Sequence, residues 1–467
     1  MKKHSSAVML MKPHVRQSPM TPDDRRAAGK ALRDTAPRDA HGSWRAHAGR
    51  TDPLAILRAA DSTRQSDLVP LRYSRMLQTP FTFYRGSAGV MAGDLARTPV
   101  TGIHVQACGD AHLLNFGGFA TPERLLILDV NDLDETLPAP WEWDVKRLVA
   151  SFVLAARSNG LSDGNGRDAA VACARSYRRT MRDFSNQDVL ETWYARLDEK
   201  AFLAMLPASQ KAIVTKRVAK ATARSSAELV YPKLVEEDGG QPRIRDALPT
   251  IFHQDDHHTA DYVDMVRGVL AQYRETLAED RRVLFDRYHL VDVSVKVVGI
   301  GSVGTLCMVA LMMSIAGHPF FLQVKEANAS VLEAYAGKSA YAHHGERVVQ
   351  GQRLMQPASD LFLGWATGPK GRHFYMRQLR DVKLSVLVET YDAEMLSIYA
   401  EACGWVLARA HAKAGDPWTI SGYLGKQDDF DKAMGRFALA YADQAERDHA
   451  ALSAAVRAGI IDVIVER

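Results

Sequence analysis

The chain has 467 residues, too many for one ordinary core, so two or three packed units are expected. Its 46% hydrophobic and 24% charged content excludes a disordered or fibrous chain, and 59 basic against 55 acidic residues, a net charge of +4, fall short of a dedicated nucleic-acid binder. Cys108, Cys173, Cys307 and Cys403 form no CxxC pair, so neither a zinc knuckle nor a disulfide framework is expected. The opening "MKKHSSAVMLMKPHVRQSP" holds only a short apolar stretch and no window approaches the ~18 apolar residues of a membrane span. A soluble, cytoplasmic protein without a membrane or nucleic-acid partner is expected.

Residues 1–50 are basic and rich in Pro, Ser and His, and read as a mobile arm with a short helix at "PDDRRAAGKALRD". A second segment, 51–163, begins with helical pieces leading to "PFTFYRG". Between residues 101 and 135 two strands, "GIHVQAC" and "RLLILDV", flank the polar loop "GDAHLLNFGGF". Leu148, Val149, Phe152, Val153 and Ala156 then keep the spacing of a buried helix that a glycine ends. Residues 164–288 read as almost wholly helical, with one loop at "EEDGGQPR"; "HQDDHH", residues 253–258, lacks regular metal-ligand spacing and reads as a polar loop. Residues 289–390 form a β-rich block, interrupted by a helix at "AHHGERVVQGQRLMQ". Two amphipathic helices, "AEMLSIYAEACGWVLARAHAKAG" and "FDKAMGRFALAYADQAERDHAALSAAV", fill 391–467.

The chemistry begins in the β-rich block. Gly299, Gly301 and Gly304 in "GIGSVGT" have GxGxxG spacing, but the following residues read as strand, turn, strand, where a dinucleotide-binding fold requires a helix. That context fits a glycine-rich flap over nucleotide phosphates, with Lys325 on the next strand facing them and Glu346, or else Glu333, holding the lysine. The bland alternative is a hairpin turn beside a surface lysine. Phosphoryl transfer also needs an aspartate near the acceptor hydroxyl and an amide ligating magnesium five residues on. Asp110 and Asn115 have that spacing, with His112 between them as a supporting group. Asp129, at the end of "RLLILD", is the expected second metal ligand, with Asp132 and Asp134 within reach.

Gly109, Asp110, His112, Asn115 and Asp129 resemble the catalytic loop and metal strand of the aminoglycoside phosphotransferase and protein-kinase-like superfamily. The resemblance implies that Asp144 in "WEWDVKRLVAS" braces the loop, and that ATP and Mg2+ are the cofactors. Cys108 departs from the histidine common in that superfamily, and the catalytic loop precedes the glycine-rich flap. A circular permutation explains the order if "GWVLARAHAKAG", residues 404–415, is the helix that ordinarily leads into the loop. The implied fold is α+β: a circularly permuted, kinase-like two-lobe architecture with a large added helical region. Residues 51–163 and 391–467 would build the C-lobe, 289–390 the N-lobe, and 164–288 the acceptor side. The motifs "FYRGSAGVMAGDLA", "GDAHLLNFG", "DVNDLDETLPAPWEWDVKRL", "LQVKEA" and "GERVVQGQRLMQ" are also similar to the bacterial domain of unknown function 2252 family, which implies no activity.

The expected function is therefore ATP- and magnesium-dependent phosphotransfer to an unknown acceptor. A metal-dependent phosphoesterase, a nucleotide-binding regulator and a nucleotidyl transferase remain alternatives. Arg85 in "FYRGS" either reaches a phosphate or pairs with a carboxylate. His104, on an apolar strand, reads as a core histidine.

Overall fold

The computed structural model describes residues 20–222, 226–254, 259–297, 299–379, 383–384 and 386–464. Two bodies of secondary structure meet at a cleft, one mostly helical and one built on an antiparallel sheet.

In the helical body, β1 (His104–Ala107) pairs antiparallel with β4 (Leu137–Pro140), and between them β2 (Phe116–Ala120) pairs with β3 (Leu126–Val130). Residues 101–135 therefore hold a third strand, β2, inside the stretch that reads as a loop, because its Phe and Gly residues satisfy the ladder opposite β3. Helix α1 (Trp141–Ser158) follows, buried along nearly its whole length, and stops where Gly160 takes a φ of +73°. Helix α2 (Asp163–Phe184) opens with a reciprocal cap between Ser162 and Asn165. The core that joins α1 and α2 to the C-terminal helices is continuous, with Leu148, Phe152, Tyr177, Leu407 and Phe437 all at 0% exposure.

The sheet body is six-stranded. Its strands are β5 (Ile251–Phe252), β6 (Tyr288–Lys296), β7 (Cys307–Ser314), β8 (Pro319–Glu326), β9 (Gly364–Thr367) and β10 (His373–Gln378), in the spatial order β9-β10-β8-β7-β6-β5. Helix α3 (His344–Met355) lies between β8 and β9 in sequence and packs Val348 and Val349 against Leu363 and Tyr375. Strand alternation sends Ala310, Met312, Leu322 and Val324 into a core shared with Tyr273 of the helix Ala260–Glu275. The opposite face carries Val309, Leu311 and Phe321, covered by the hairpin of Val235–Asp238 and Gln241–Ile244. That hairpin replaces the loop expected at "EEDGGQPR", its glycines Gly239 and Gly240 both turning at positive φ.

Helices α4 (Ala393–Ala414) and α5 (Asp429–Arg457) return to the helical body. The basic segment packs onto that body from Thr21 onward. A Cβ on Gly29 would lie 2.0 Å from the Thr419 carbonyl oxygen, and Arg50 bridges Asp94 and Asp448 at 2.8 and 2.6 Å. Residues 1–19, the rest of the expected arm, lie outside the described residues, as do residues 255–258 of "HQDDHH". Among the described residues no helix is long and apolar enough to cross a membrane.

Candidate functional site

The loop after β1 is held from behind. Asp144, in the first turn of α1 and 1% exposed, accepts hydrogen bonds from the backbone N–H of Cys108 at 2.6 Å and of Gly109 at 2.9 Å. His411 of α4 lies 3.1 Å from the same carboxylate. Further on, the Leu113 N–H donates to Ser151, and the Tyr399 hydroxyl lies 2.9 Å from the carbonyls of both Leu113 and Phe116. Gly109 has a φ of +83°, and a Cβ there would meet the Glu135 carbonyl oxygen at 2.4 Å. The turn that presents Asp110 thus demands glycine.

Asp110 faces a cleft of about 1020 Å³ between the two bodies. Arg147, one helical turn beyond Asp144 on α1, donates from Nε to the Asp110 carboxylate at 2.6 Å and from Nη2 to the Tyr84 carbonyl at 3.0 Å. Burial raises the Asp110 pKa and Arg147 opposes the rise. His112 is buried, its Nε2 3.9 Å from Asp110 and its Nδ1 without a hydrogen-bond partner among the described residues. Burial first, then the charges of Arg85 and Arg147, hold the imidazole neutral by lowering its pKa well below the ordinary value. The Asn115 amide nitrogen donates to the Asp110 carbonyl at 2.7 Å, which leaves its oxygen end as what it can offer a cation.

The second wall comes from β8 and β10. Gln323 and Lys325 share one face of β8, and the register sets Arg377 and Tyr375 opposite them. Lys325 Nζ contacts Asp134 and lies 3.7 Å from Asp132, both on the loop that follows β3. Burial alone would lower the lysine pKa, but the two carboxylates overcome it and raise it. Asp134 also accepts from the Tyr375 hydroxyl at 2.7 Å, and its pKa is lowered against its burial by Lys325 and Tyr375. Asp132, whose side chain is 36% exposed, is pushed up by partial burial and by the charge of Asp134. Two carboxylates here share the nearest lysine.

The glycine-rich turn lies at the rim. Gly299 and Gly301 line the cleft, Ser302 Oγ is 3.4 Å from Asp134, and Arg64 holds the turn by donating to the carbonyls of Gly301 and Val303. Gly304 has a φ of +89° and does not line the cleft.

The sequence-derived residues Asp110, His112, Asn115, Asp132, Gly299, Gly301 and Lys325 are therefore brought to one cleft. Asp129 and Glu346 are not among its lining residues. Asp129 still lies within the β3 ladder, opposite Gly117, and is spent in a buried ion pair with Arg409 of α4. Glu346 makes its side-chain hydrogen bond to Gln350, and among the described residues neither it nor Glu333 pairs with Lys325. Its neighbour Arg347 instead ties α3 to the backbone, donating to the carbonyls of Asp134, Thr136 and Asn328 at 2.7–2.8 Å. Sequence reasoning missed Arg147, Arg347, Arg377 and Tyr375. For Arg147 the signal is a charged residue on the buried face of an apolar helix, at i+3 from Asp144; the others have no local signal. His104, expected in the core, is exposed.

Magnesium takes hard oxygen donors and is commonly held by one or two carboxylates plus substrate phosphates. Asn115, Asp132 and Asp134 supply oxygens of that kind, the two carboxylates standing between Lys325 and Arg377. Among the described residues no three of His, Cys, Asp and Glu gather into a metal cage.

Residues 64–455 match the family described as an uncharacterised protein conserved in bacteria, domain of unknown function 2252. No curated protein and no solved structure matches the chain.

Proposed function

Since the chain belongs to this uncharacterised bacterial family, whose description names no activity, its function has to be read from the site, and we propose that it is an ATP- and magnesium-dependent phosphotransferase. The observation that carries the reading is Lys325 of β8 meeting Asp132 and Asp134 in the cleft that Asp110 and Asn115 also line. Kinase-like sites require that set: a strand lysine, a carboxylate and an amide for magnesium, and an aspartate at the acceptor.

The parts divide as follows. Gly299 and Gly301 cover the phosphates, where a side chain would block close approach of the backbone. Lys325 neutralises phosphate oxygens, exchanging part of its contact with Asp132 and Asp134. Asn115, Asp132 and Asp134 would hold magnesium, which supplies charge neutralisation on the transferred phosphoryl group. Asp110, fixed by Gly109, Arg147 and Asn115, orients the acceptor hydroxyl and takes its proton. Such catalysis is mostly positioning and electrostatics.

The kinase-like reading also accounts for the order of the pieces. In the ordinary order, the sheet and its glycine turn precede the catalytic loop. A circular permutation restores that order if the end of α4 leads into β1, and the two are neighbours: a Cβ on Gly415 would lie 2.6 Å from Val105. The contacts of His411 with Asp144 and of Tyr399 with the loop carbonyls favour the same reading. The order β9-β10-β8-β7-β6, with a helix after the lysine strand, would serve as the N-lobe in this reading.

The test is calorimetric binding of ATP with and without magnesium, followed by mass measurement on candidate acceptors. Magnesium-dependent ATP binding and a gain of one phosphate support phosphotransfer. A gain of AMP turns the reading to nucleotidyl transfer, and binding that survives unchanged in both Asp110→Asn and Lys325→Ala overturns it.

A further inference from the structure

Arg85 lies at the end of the short helix Pro80–Gly86, and its carbonyl oxygen would lie 3.7 Å from a Cβ on Gly301 of the glycine-rich turn. It lines the cleft, as do Asp110 and His112. The other guanidinium groups here are committed. Arg64 holds the glycine turn, Arg72 pairs with Asp61 at 2.9 Å, Arg147 with Asp110, and Arg377 donates to Gln323 at 3.1 Å and to the Asn131 carbonyl. Arg85 has no ion pair and no side-chain hydrogen bond among the described residues, and its Nε is buried without a partner. The carboxylate to which it responds electrostatically is Asp110, already engaged by Arg147.

His112 repeats the pattern. Its side chain is 5% exposed, and the buried Nδ1 has no hydrogen-bond partner among the described residues. Arg85 is half-buried and His112 buried, and a buried polar atom without a partner costs stability. Two such groups beside one aspartate, in the lining of one cleft, make a site short of an anion. The guanidinium fork suits a phosphate or a carboxylate.

We propose that Arg85 and His112 bind an oxyanion, a phosphate or carboxylate, beside Asp110, and that the acceptor molecule carries it. The assignment to an acceptor rests on the phosphotransferase reading; the anion site does not. Lys325 with Asp132 and Asp134 already serves the sheet side of the cleft, whereas Arg85 and His112 sit with Asp110. The other source of the same chemistry is the terminal phosphate of the nucleotide.

The probe is inorganic phosphate, titrated calorimetrically into the full-length protein, alone and with saturating MgADP, for wild type, Arg85→Ala, Arg85→Lys and His112→Asn. Saturable phosphate binding by wild type, weakened about tenfold or more in Arg85→Ala and partly restored in Arg85→Lys, is the expected result. His112→Asn is expected to show a smaller loss. If Arg85→Ala instead weakens ATP about tenfold and leaves ADP and phosphate in the ADP complex unchanged, the oxyanion is the nucleotide's terminal phosphate and the acceptor assignment falls. If no nucleotide binds but phosphate binding still depends on Arg85, the phosphotransferase reading fails and the anion site stands. Absence of saturable phosphate binding in wild type, together with ATP affinity that ignores Arg85, overturns the proposal. So does equal phosphate and ATP affinity in wild type and in folded Arg85→Lys and Arg85→Ala proteins.

Discussion

Arg409 on α4 and Asp129 on β3 form an ion pair, Nη2 to Oδ2 2.5 Å, with 0% and 1% of their side chains exposed. The pair ties α4 to the strand that leads into the carboxylate loop. Burial raises the Asp129 pKa and Arg409 opposes the rise. Arg409→Met leaves that carboxylate buried and unpaired, and is expected to destabilise the protein by about 3–5 kcal/mol. The double variant Arg409→Met with Asp129→Leu is expected to recover most of the loss, because both charges are gone. Chemical denaturation of wild type, the two single variants and the double variant checks the coupling. An Asp129→Asn protein of wild-type stability that had lost magnesium binding would return Asp129 to the metal.

Asp132 and Asp134 carry the metal in this reading. Asp132→Asn is expected to abolish the magnesium dependence of ATP affinity while leaving the fold intact, since its side chain is 36% exposed. Lys325→Ala removes a cation that the loop carboxylates face across the cleft, and is expected to lower turnover by about 100-fold or more. Magnesium titrations at fixed ATP, followed by single-turnover assays, separate the two effects. Unaltered magnesium dependence in Asp132→Asn and in Asp134→Asn would sink the metal assignment.

The elements were legible where periodicity is strong. Leu148, Val149, Phe152, Val153 and Ala156 mark the buried face of α1, and all are buried. The strand β2 was not legible, because Gly117 and Gly118 read as turn residues until the β3 ladder supplies their partners. Spacing alone picked out Asp110, Asn115 and Lys325, which the fold brings to one cleft. The choice among Asp129, Asp132 and Asp134 was not, because it depends on where β3 ends. The ladder runs through Val130, so Asp129 stays in it and Asp132 and Asp134 enter the loop. Nor is the partner of Asp129 visible in sequence, since Arg409 lies 280 positions away.

Gly109 supports a prediction about loop geometry. Its φ is +83°, and a methyl group at this position would come within 2.4 Å of the Glu135 carbonyl oxygen, so Gly109→Ala has to move the loop. The shift pulls the Cys108 and Gly109 N–H groups away from Asp144. Asp144→Ala breaks the same two bonds from the other side and leaves both donors buried, at a cost of about 1–3 kcal/mol for each unsatisfied group. Both variants are expected to lose turnover by a larger factor than nucleotide affinity. Equal losses of kcat and ATP affinity would show the loop to be part of nucleotide binding.

His41 is fully buried, its Nε2 2.6 Å from the Tyr423 hydroxyl, which itself donates to the Ala36 carbonyl at 2.7 Å. Nε2 therefore carries the proton, and the buried Nδ1 has no hydrogen-bond partner among the described residues. Burial, then the nearby charge of Lys146, lowers the His41 pKa from the ordinary 6.5 to about 3. In the unfolded chain the same ring takes its second proton near pH 6.5. Between those values the unfolded state binds the extra proton, so stability falls as pH drops from about 6.5 toward 3, by up to about 1.4 kcal/mol per pH unit. Above pH 6.5 both states hold the ring neutral and it contributes no slope. His41→Gln removes the titration while keeping a side-chain donor for Tyr423. Denaturation midpoints at pH 7, 5.5 and 4.5, taken as spacings of about one to two units across that window, are expected to fall less steeply in the variant. Parallel slopes in the two proteins would assign the acid sensitivity to other groups.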